Sequence, residues 1–282
     1  MNSKREIGII GGSGVYKIEG IEIVQEHEII TPFGSPSSAV IEAKINGEKF
    51  YFIPRHGKSH TLLPSEVNYR ANIFALKTLG VKYVISASAV GSLKDELPPT
   101  TFVLPSQFID WTKGLRKRTF FGEGIVGHVS TAIPVNLTLQ DLIAKTCKEV
   151  GVKYSKGGSY LCIEGPQFSS KAESAIYREF DASVIGMTNV PESYLAKEAG
   201  MAYATIAMVT DYDCWKEHHC TVEEVMNTMK TNNEYVKRVL LKLIPALAQN
   251  KFDFNPENQN AVMTDPKMID SEHKKILEIL LG

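Results

Sequence analysis

The chain has 282 residues, with 31 Lys plus Arg against 32 Asp plus Glu, for a formal net charge of −1. Apolar residues make up 43% and charged residues 22%, the balance of a globular chain able to bury a core. Near-neutrality without charge segregation excludes the electrostatic footprint of a nucleic-acid or anionic-membrane binder. The one basic knot, residues 113–118, reads as a solvated surface loop. Residues 1–6 are polar, and the apolar run 7–10 stops at Gly11-Gly12. That run is too short for a secretory core, and nothing approaches the length of a membrane span. Cys147, Cys162, Cys214 and Cys220 lack any C-x-x-C spacing. They read as reduced thiols of a cytoplasmic protein, not as a disulfide frame or a zinc site.

Without a repeat or a Pro/Ser linker, residues 1–282 are expected to form a single domain. Residues 6–10 read as a short buried strand that runs into Gly11-Gly12-Ser13-Gly14. Runs 39–45 and 48–53 flank Asn46-Gly47, a hairpin signal. Residues 64–79 carry a helical apolar stripe closed by Gly80, and 81–86 is a buried strand leading into Ser88-Ala89-Val90-Gly91-Ser92. Helix 139–150, strand 159–163, helix 171–180, strand 183–187, helix 191–199 and strand 202–209 follow. Helices 222–247 and 272–281 close the chain. Strands alternating with helices predict a layered α/β domain whose ligands gather at strand ends.

The chemistry-bearing residues fall at those ends. Gly11-Gly12-Ser13-Gly14 offers backbone N–H groups to an anion. It is no dinucleotide fingerprint, because Lys17 stands where the third glycine belongs, and it lacks the G-K-[ST] ending of a P-loop. A tight turn without a ligand is the alternative. Arg55-His56 offers a planar fork for phosphate oxygens with an imidazole donor beside it, although such pairs are commonly surface features. Ser88-Ala89 adds a second glycine-bearing loop. Three anion-friendly strand ends together favour a phosphate pocket. In extended backbone Asp211 and Asp213 face one side. They could hold a divalent metal, accept hydrogen bonds from an amino-bearing base with one acting as general acid, or simply be solvated. The metal reading is weakened by the absence of a His/Glu ligand cluster nearby. Phe168 could stack on a flat ring or belong to the core, with Ser169 beside it. Met187-Thr188 places a hydroxyl at a strand end. Val222, Val225 and Met226 make an apolar helical face, a pattern more often packing than a substrate wall.

Taken together, the segments 7–14 (IGIIGGSG), 55–60 (RHGKSH), 68–76 (NYRANIFAL), 163–173 (IEGPQFSSKAE), 187–192 (MTNVPE) and 210–215 (TDYDCW) occur in one order. In this the chain closely resembles the trimeric purine nucleoside phosphorylase family, in its branch acting on 5'-methylthioadenosine, from about residue 6 to about 245. The tail beyond about residue 251 is not covered. The resemblance implies one α/β domain, a mixed central β-sheet flanked by helices. It implies phosphorolysis of 5'-methylthioadenosine to adenine and 5-methylthioribose 1-phosphate, with inorganic phosphate as co-substrate and no metal or organic cofactor. Phosphate ligands then fall on Ser13, Arg55, His56, Ser88, Ala89 and Thr188, and the ribose contact on Met187. The base pocket falls on Phe168, Ser169, Asp211 and Asp213, with Asp211 as the general acid. The methylthio wall falls on Val222, Val225 and Met226, with His128 donated by a neighbour in a homotrimer. Family members acting on 6-oxopurines carry Asn where Asp211 stands, so Asp211 implies a 6-aminopurine. Gly186 departs from the Asn common in the methylthioadenosine branch and matches the 6-oxopurine branch. A purine nucleoside phosphorylase acting on adenosine or 6-oxopurine nucleosides, and a catalytically silent nucleoside binder, are the alternatives.

Overall fold

Asn46 and Gly47 both have positive φ, 50° and 83°, the backbone that a two-residue hairpin between twisted strands requires. They join β3 (Val40–Ile45) to β4 (Glu48–Pro54). The computed structural model describes residues 6–12, 20–217, 221–250 and 252–282, without the side chain of Val222. The other strands are β1 (Glu6–Gly11), β2 (Ile21–His27), β5 (Val81–Ser92), β6 (Phe102–Leu104), β7 (Gln107–Trp111), β8 (Tyr154–Lys156), β9 (Ser159–Ile163), β10 (Val184–Gly186) and β11 (Ala202–Asp211). The helices are α1 (Tyr69–Thr78), α2 (Leu137–Glu149), α3 (Lys171–Glu179), α4 (Asn189–Glu198), α5 (Val222–Gln249) and α6 (Ser271–Leu281).

These strands form one mixed sheet in the order β2-β3-β4-β1-β5-β10-β9-β7, with β11 also on β5, β6 on β11 and β8 on β6. Helices cover it, as the α/β reading expects. β5 is the hub. Its first residues pair with β1 in parallel and its last two with β10 in antiparallel, while β11 runs parallel along the other edge. Pairing of residues 88–91 with β11 and of 91–92 with β10 makes this segment strand, correcting the glycine loop expected there. Gly91 serves close packing, since a Cβ would meet Ile185 Cγ2 at 3.1 Å and Asp213 Cβ at 3.4 Å.

Local chemistry sets the helix ends. Asn68 caps α1 by accepting the Ala71 N–H, so the helix starts later than its apolar stripe suggested. Ser170 and Glu173 form a capping box on α3, and Thr221 and Glu224 another on α5. Val190 is extended inside α4 (φ −116°, ψ 125°), so regular helix begins at Pro191, as the sequence suggests. The tail is part of the fold. Ile276, Leu277 and Leu280 of α6 are buried, and Asn258 Nδ2 donates to Glu198 O and Leu280 O. No helix among the described residues is long and apolar enough to cross a membrane.

Candidate active site

β1, β4, β5 and β11 are mutually parallel, so their carboxyl ends open on one rim. Arg55 leaves β4 there, its N–H held by Gly11 O at 2.9 Å. β10 arrives from the opposite direction and brings residues 187–189 beside Ser88, whose Oγ donates to Asn189 Oδ1 at 3.2 Å. Ala89 is exposed between buried neighbours in the hub strand, which marks an open cleft above the sheet.

Beneath that cleft lies a buried polar network that the sequence reading did not identify. Arg55 is 2% exposed, and its guanidinium grips Glu192 twice, Nε to Oε2 at 2.7 Å and Nη2 to Oε1 at 3.0 Å. Nη2 also donates to Ile10 O and Ser86 Oγ, and Nη1 to Ala87 O at 3.1 Å. Burial works against the charge on Arg55, but Glu192 outweighs it and keeps the guanidinium protonated. Ser86 and Tyr203 hydroxyls donate to Glu192 Oε1, and Asn189 Nδ2 donates to both hydroxyls. The visible signal was the polar residues Ser86, Tyr203 and Thr205 inside otherwise apolar strands. With four of five donors committed to protein acceptors, Arg55 has one Nη1 hydrogen left for a ligand.

His56 differs from the donor expected of it. Burial, then the neighbouring Arg55 charge, pushes its imidazole down to about 4. Its Nδ1–H donates to Leu62 O at 2.9 Å, so the neutral ring presents the Nε2 lone pair. Such a nitrogen accepts the hydrogen of a protonated phosphate oxygen. Thr188 Oγ1 is buried without a hydrogen-bond partner. The Thr188 N–H donates to the nearby Tyr160 hydroxyl at 3.4 Å. That hydroxyl accounts for Gly186, because a Cβ there would stand 2.0 Å from it.

The second half of the rim is built from β11 and the β9–α3 turn. Asp211 and Asp213 do not share an extended backbone. Asp213 has φ 51°, and its N–H turns back to Asp211 Oδ2 at 2.9 Å. Burial raises the Asp211 carboxyl above the usual range, with the Asp213 charge adding, while hydrogen bonds from Thr210 and Asp213 oppose the rise. Cys214 Sγ donates to Ser169 O at 3.2 Å, tying this turn to the segment that carries Phe168 and Ser169. Ser169 Oγ is a second buried hydroxyl without a partner, and Phe168 is 78% exposed. Trp215 fixes the turn, its Nε1–H donating to Ser92 O at 2.8 Å and its ring in contact with Arg178 and Lys216. Met187 packs on Gly165, where a Cβ would lie 2.5 Å from its Sδ.

Other expected residues lie outside the described part of this rim or away from it in the single chain. Ser13 and the side chain of Val222 lie outside the described residues. Val225 and Met226 lie near the start of α5, with Met226 57% exposed. His128 is exposed on a segment whose backbone bonds to Ala261 O in the tail. The basic knot is also corrected. Arg116 within it is 5% exposed and points inward. Among the described residues no group of three or more His, Cys, Asp or Glu is arranged to hold a metal ion.

A family model described as the phosphorylase superfamily matches residues 6–245. The S-methyl-5'-thioadenosine phosphorylase of Hyperthermus butylicus is 52% identical over 245 residues, covering 86% of this chain and 89% of that protein. A solved methylthioadenosine phosphorylase from an antarctic soil metagenomic library has a TM-score of 0.93 at 40% identity, over 100% of both chains. A double mutant of the adenosine/methylthioadenosine phosphorylase from Schistosoma mansoni, in complex with adenine, has a TM-score of 0.82 at 34% identity. It covers 88% of this chain and 93% of that one. With the motifs in order, the mixed sheet built on its hub strand and the relatives similar over nearly their full lengths, the chain belongs to the phosphorylase superfamily, among the S-methyl-5'-thioadenosine phosphorylases.

Proposed function

We propose that the protein converts 5'-methylthioadenosine and inorganic phosphate to adenine and 5-methylthioribose 1-phosphate, a step of methylthioadenosine salvage in the cytoplasm. The observation that carries this reading is the Asp211 carboxyl, raised by burial, at the rim that also bears the unpartnered hydroxyls of Ser169 and Thr188. Arg55, His56, Ser88, Ala89, Thr188 and Ser13 hold phosphate, with Ser88 turning its hydroxyl from Asn189 to the anion. Met187 packs under the ribose, and Phe168, Ser169, Asp211 and Asp213 receive the purine. A phosphate oxygen attacks C1' as the C1'–N9 bond breaks and its electron pair passes to the base. Asp211 delivers a proton to N7, and the phosphate charge stabilises the positive charge that builds on the ribose. A carboxylate accepts the hydrogen of a 6-amino group and repels a 6-oxo group, so adenine is preferred. The chemistry needs no metal or organic cofactor.

The active assembly is a homotrimer in which His128 of one subunit completes the 5' pocket of the next. Met226, exposed in the single chain, leaves that pocket open on one side. The same opening favours adenosine as a second, poorer substrate, in line with the relative described as an adenosine/methylthioadenosine phosphorylase. The test is adenine release from methylthioadenosine, adenosine and inosine (hypoxanthine release), with and without phosphate and EDTA. Expected are release that needs phosphate, methylthioadenosine first and inosine last, and no effect of EDTA. Phosphate-independent release, or loss on chelation, overturns the reading.

A further inference from the structure

We propose that Arg116 is a positioning residue for the nucleoside: it locks the purine-side turn and the ribose-side segment to each other. The inference rests on the function proposed above. Arg116 is the inward-facing member of its basic segment, whose Leu115 is 72% exposed and whose Arg118 pairs with Asp110 at the surface. Its guanidinium has five N–H donors facing seven acceptors, among them the Tyr69 hydroxyl at 3.4 Å and Cys162 Sγ at 3.9 Å from Nη1. Nε donates to Glu164 Oε1 at 2.6 Å, and Nη2 to Glu164 O at 2.8 Å and Ile163 O at 3.4 Å. Nη1 donates to Met187 O at 2.6 Å and Val190 O at 2.8 Å. The other carboxylate oxygen of Glu164 takes the Lys113 N–H at 2.8 Å and closes the knot.

Such a saturated guanidinium has no donor left for an anion, so it acts through the two segments it joins. One is residues 163–164, which lead directly into Gly165, Phe168 and Ser169. The other is Met187, whose side chain packs on that same Gly165. Among the phosphate-side groups, Arg55 rests on Glu192, while Thr188 lies between the two carbonyls that Arg116 holds and donates its N–H to the Tyr160 hydroxyl. The base and the sugar must be held in register across the bond that breaks, and small misplacements there cost large factors in rate. Lysine cannot replace the fork, because one ammonium cannot reach acceptors on both segments in the same plane.

Steady-state kinetics of Arg116→Lys, read beside its thermal unfolding, test this. Expected are a rise of about tenfold or more in the KM for methylthioadenosine with a fall in kcat, and a clearly smaller rise in the KM for phosphate, whose ligand Arg55 is held by Glu192. Guanidinium ion added to Arg116→Ala lowers the nucleoside KM again. Glu164→Gln keeps an acceptor for Nε and loses the one for Lys113 N–H, so it shows the same split at smaller size even if the Arg116 variants do not fold. Equal rises in both KM values, or a fall in kcat that merely tracks the folded fraction, overturn the inference. Wild-type protein that releases no adenine overturns the functional reading and this inference with it. An active wild type whose variants show no split overturns the inference alone.

Discussion

Arg55 and Thr188 carry the same proposed role, yet opposite environments give their substitutions opposite signatures. Arg55→Ala leaves the Glu192 carboxylate buried without its partner, which costs about 3–5 kcal/mol of stability before any effect on phosphate is seen. Thr188→Val removes a buried hydroxyl that has no protein partner, so chemical denaturation should show stability held or slightly raised. Its phosphate KM should nevertheless rise roughly tenfold or more, the value of a hydrogen bond to a charged group. Unchanged phosphate saturation in Thr188→Val removes that residue from the site. Asp211 must be protonated to act as an acid. Turnover should therefore fall as pH rises through its raised pKa, and Asp211→Asn should abolish that limb and lower turnover about 10²–10⁴-fold. Near-native turnover of Asp211→Asn contradicts the acid assignment.

At the scale of elements, patterned segments were legible and short or hub segments were not. The Asn46-Gly47 hairpin, the caps at Ser170 and Thr221 and the long apolar strands announce themselves through local chemistry. β6 and β8 have three residues each, too few for a periodic signal, and exist because neighbours pair with them. β2 is an exposed edge rich in Glu and Gln. The course of β5 through Gly91 was hidden because glycine reads as a loop unless the packing against Asp213 is known. Arg116 was misread for a related reason, since its acceptors are mostly backbone carbonyls, which no sequence spells out. α4 ends in a further buried acid, Glu198, which accepts the Phe120 N–H and the Thr119 hydroxyl. Burial raises it from 4.5 to about 7. The folded state then keeps a proton that the unfolded chain releases, so this contribution to stability is lost as pH rises from 4.5 to about 7. Glu198→Gln should flatten that part of the stability profile between pH 5 and 8 in urea titrations. A wild-type slope that survives in the variant assigns it to another group.

For the whole molecule, the tail beyond residue 251 turns out to buttress the segment that carries His128. Gly127 bridges to Val262, His128 N–H donates to Ala261 O, and Met263 N–H to Val126 O. Val126 and Met263 are exposed on that paired backbone, 56% and 69%. Sedimentation should give a mass close to three chains, and His128→Ala should narrow the preference for methylthioadenosine over adenosine. A fully active monomer, or an unchanged preference ratio, contradicts the shared pocket and leaves the chemistry standing. That chemistry is tested most directly by running the reaction in phosphate labelled at all four oxygens with ¹⁸O and weighing the sugar product. Attack of phosphate oxygen on C1' predicts 5-methylthioribose 1-phosphate that retains all four labels, formed in equal amount with adenine. Free 5-methylthioribose without phosphate, or a sugar phosphate that has lost label, would contradict phosphorolysis at this site.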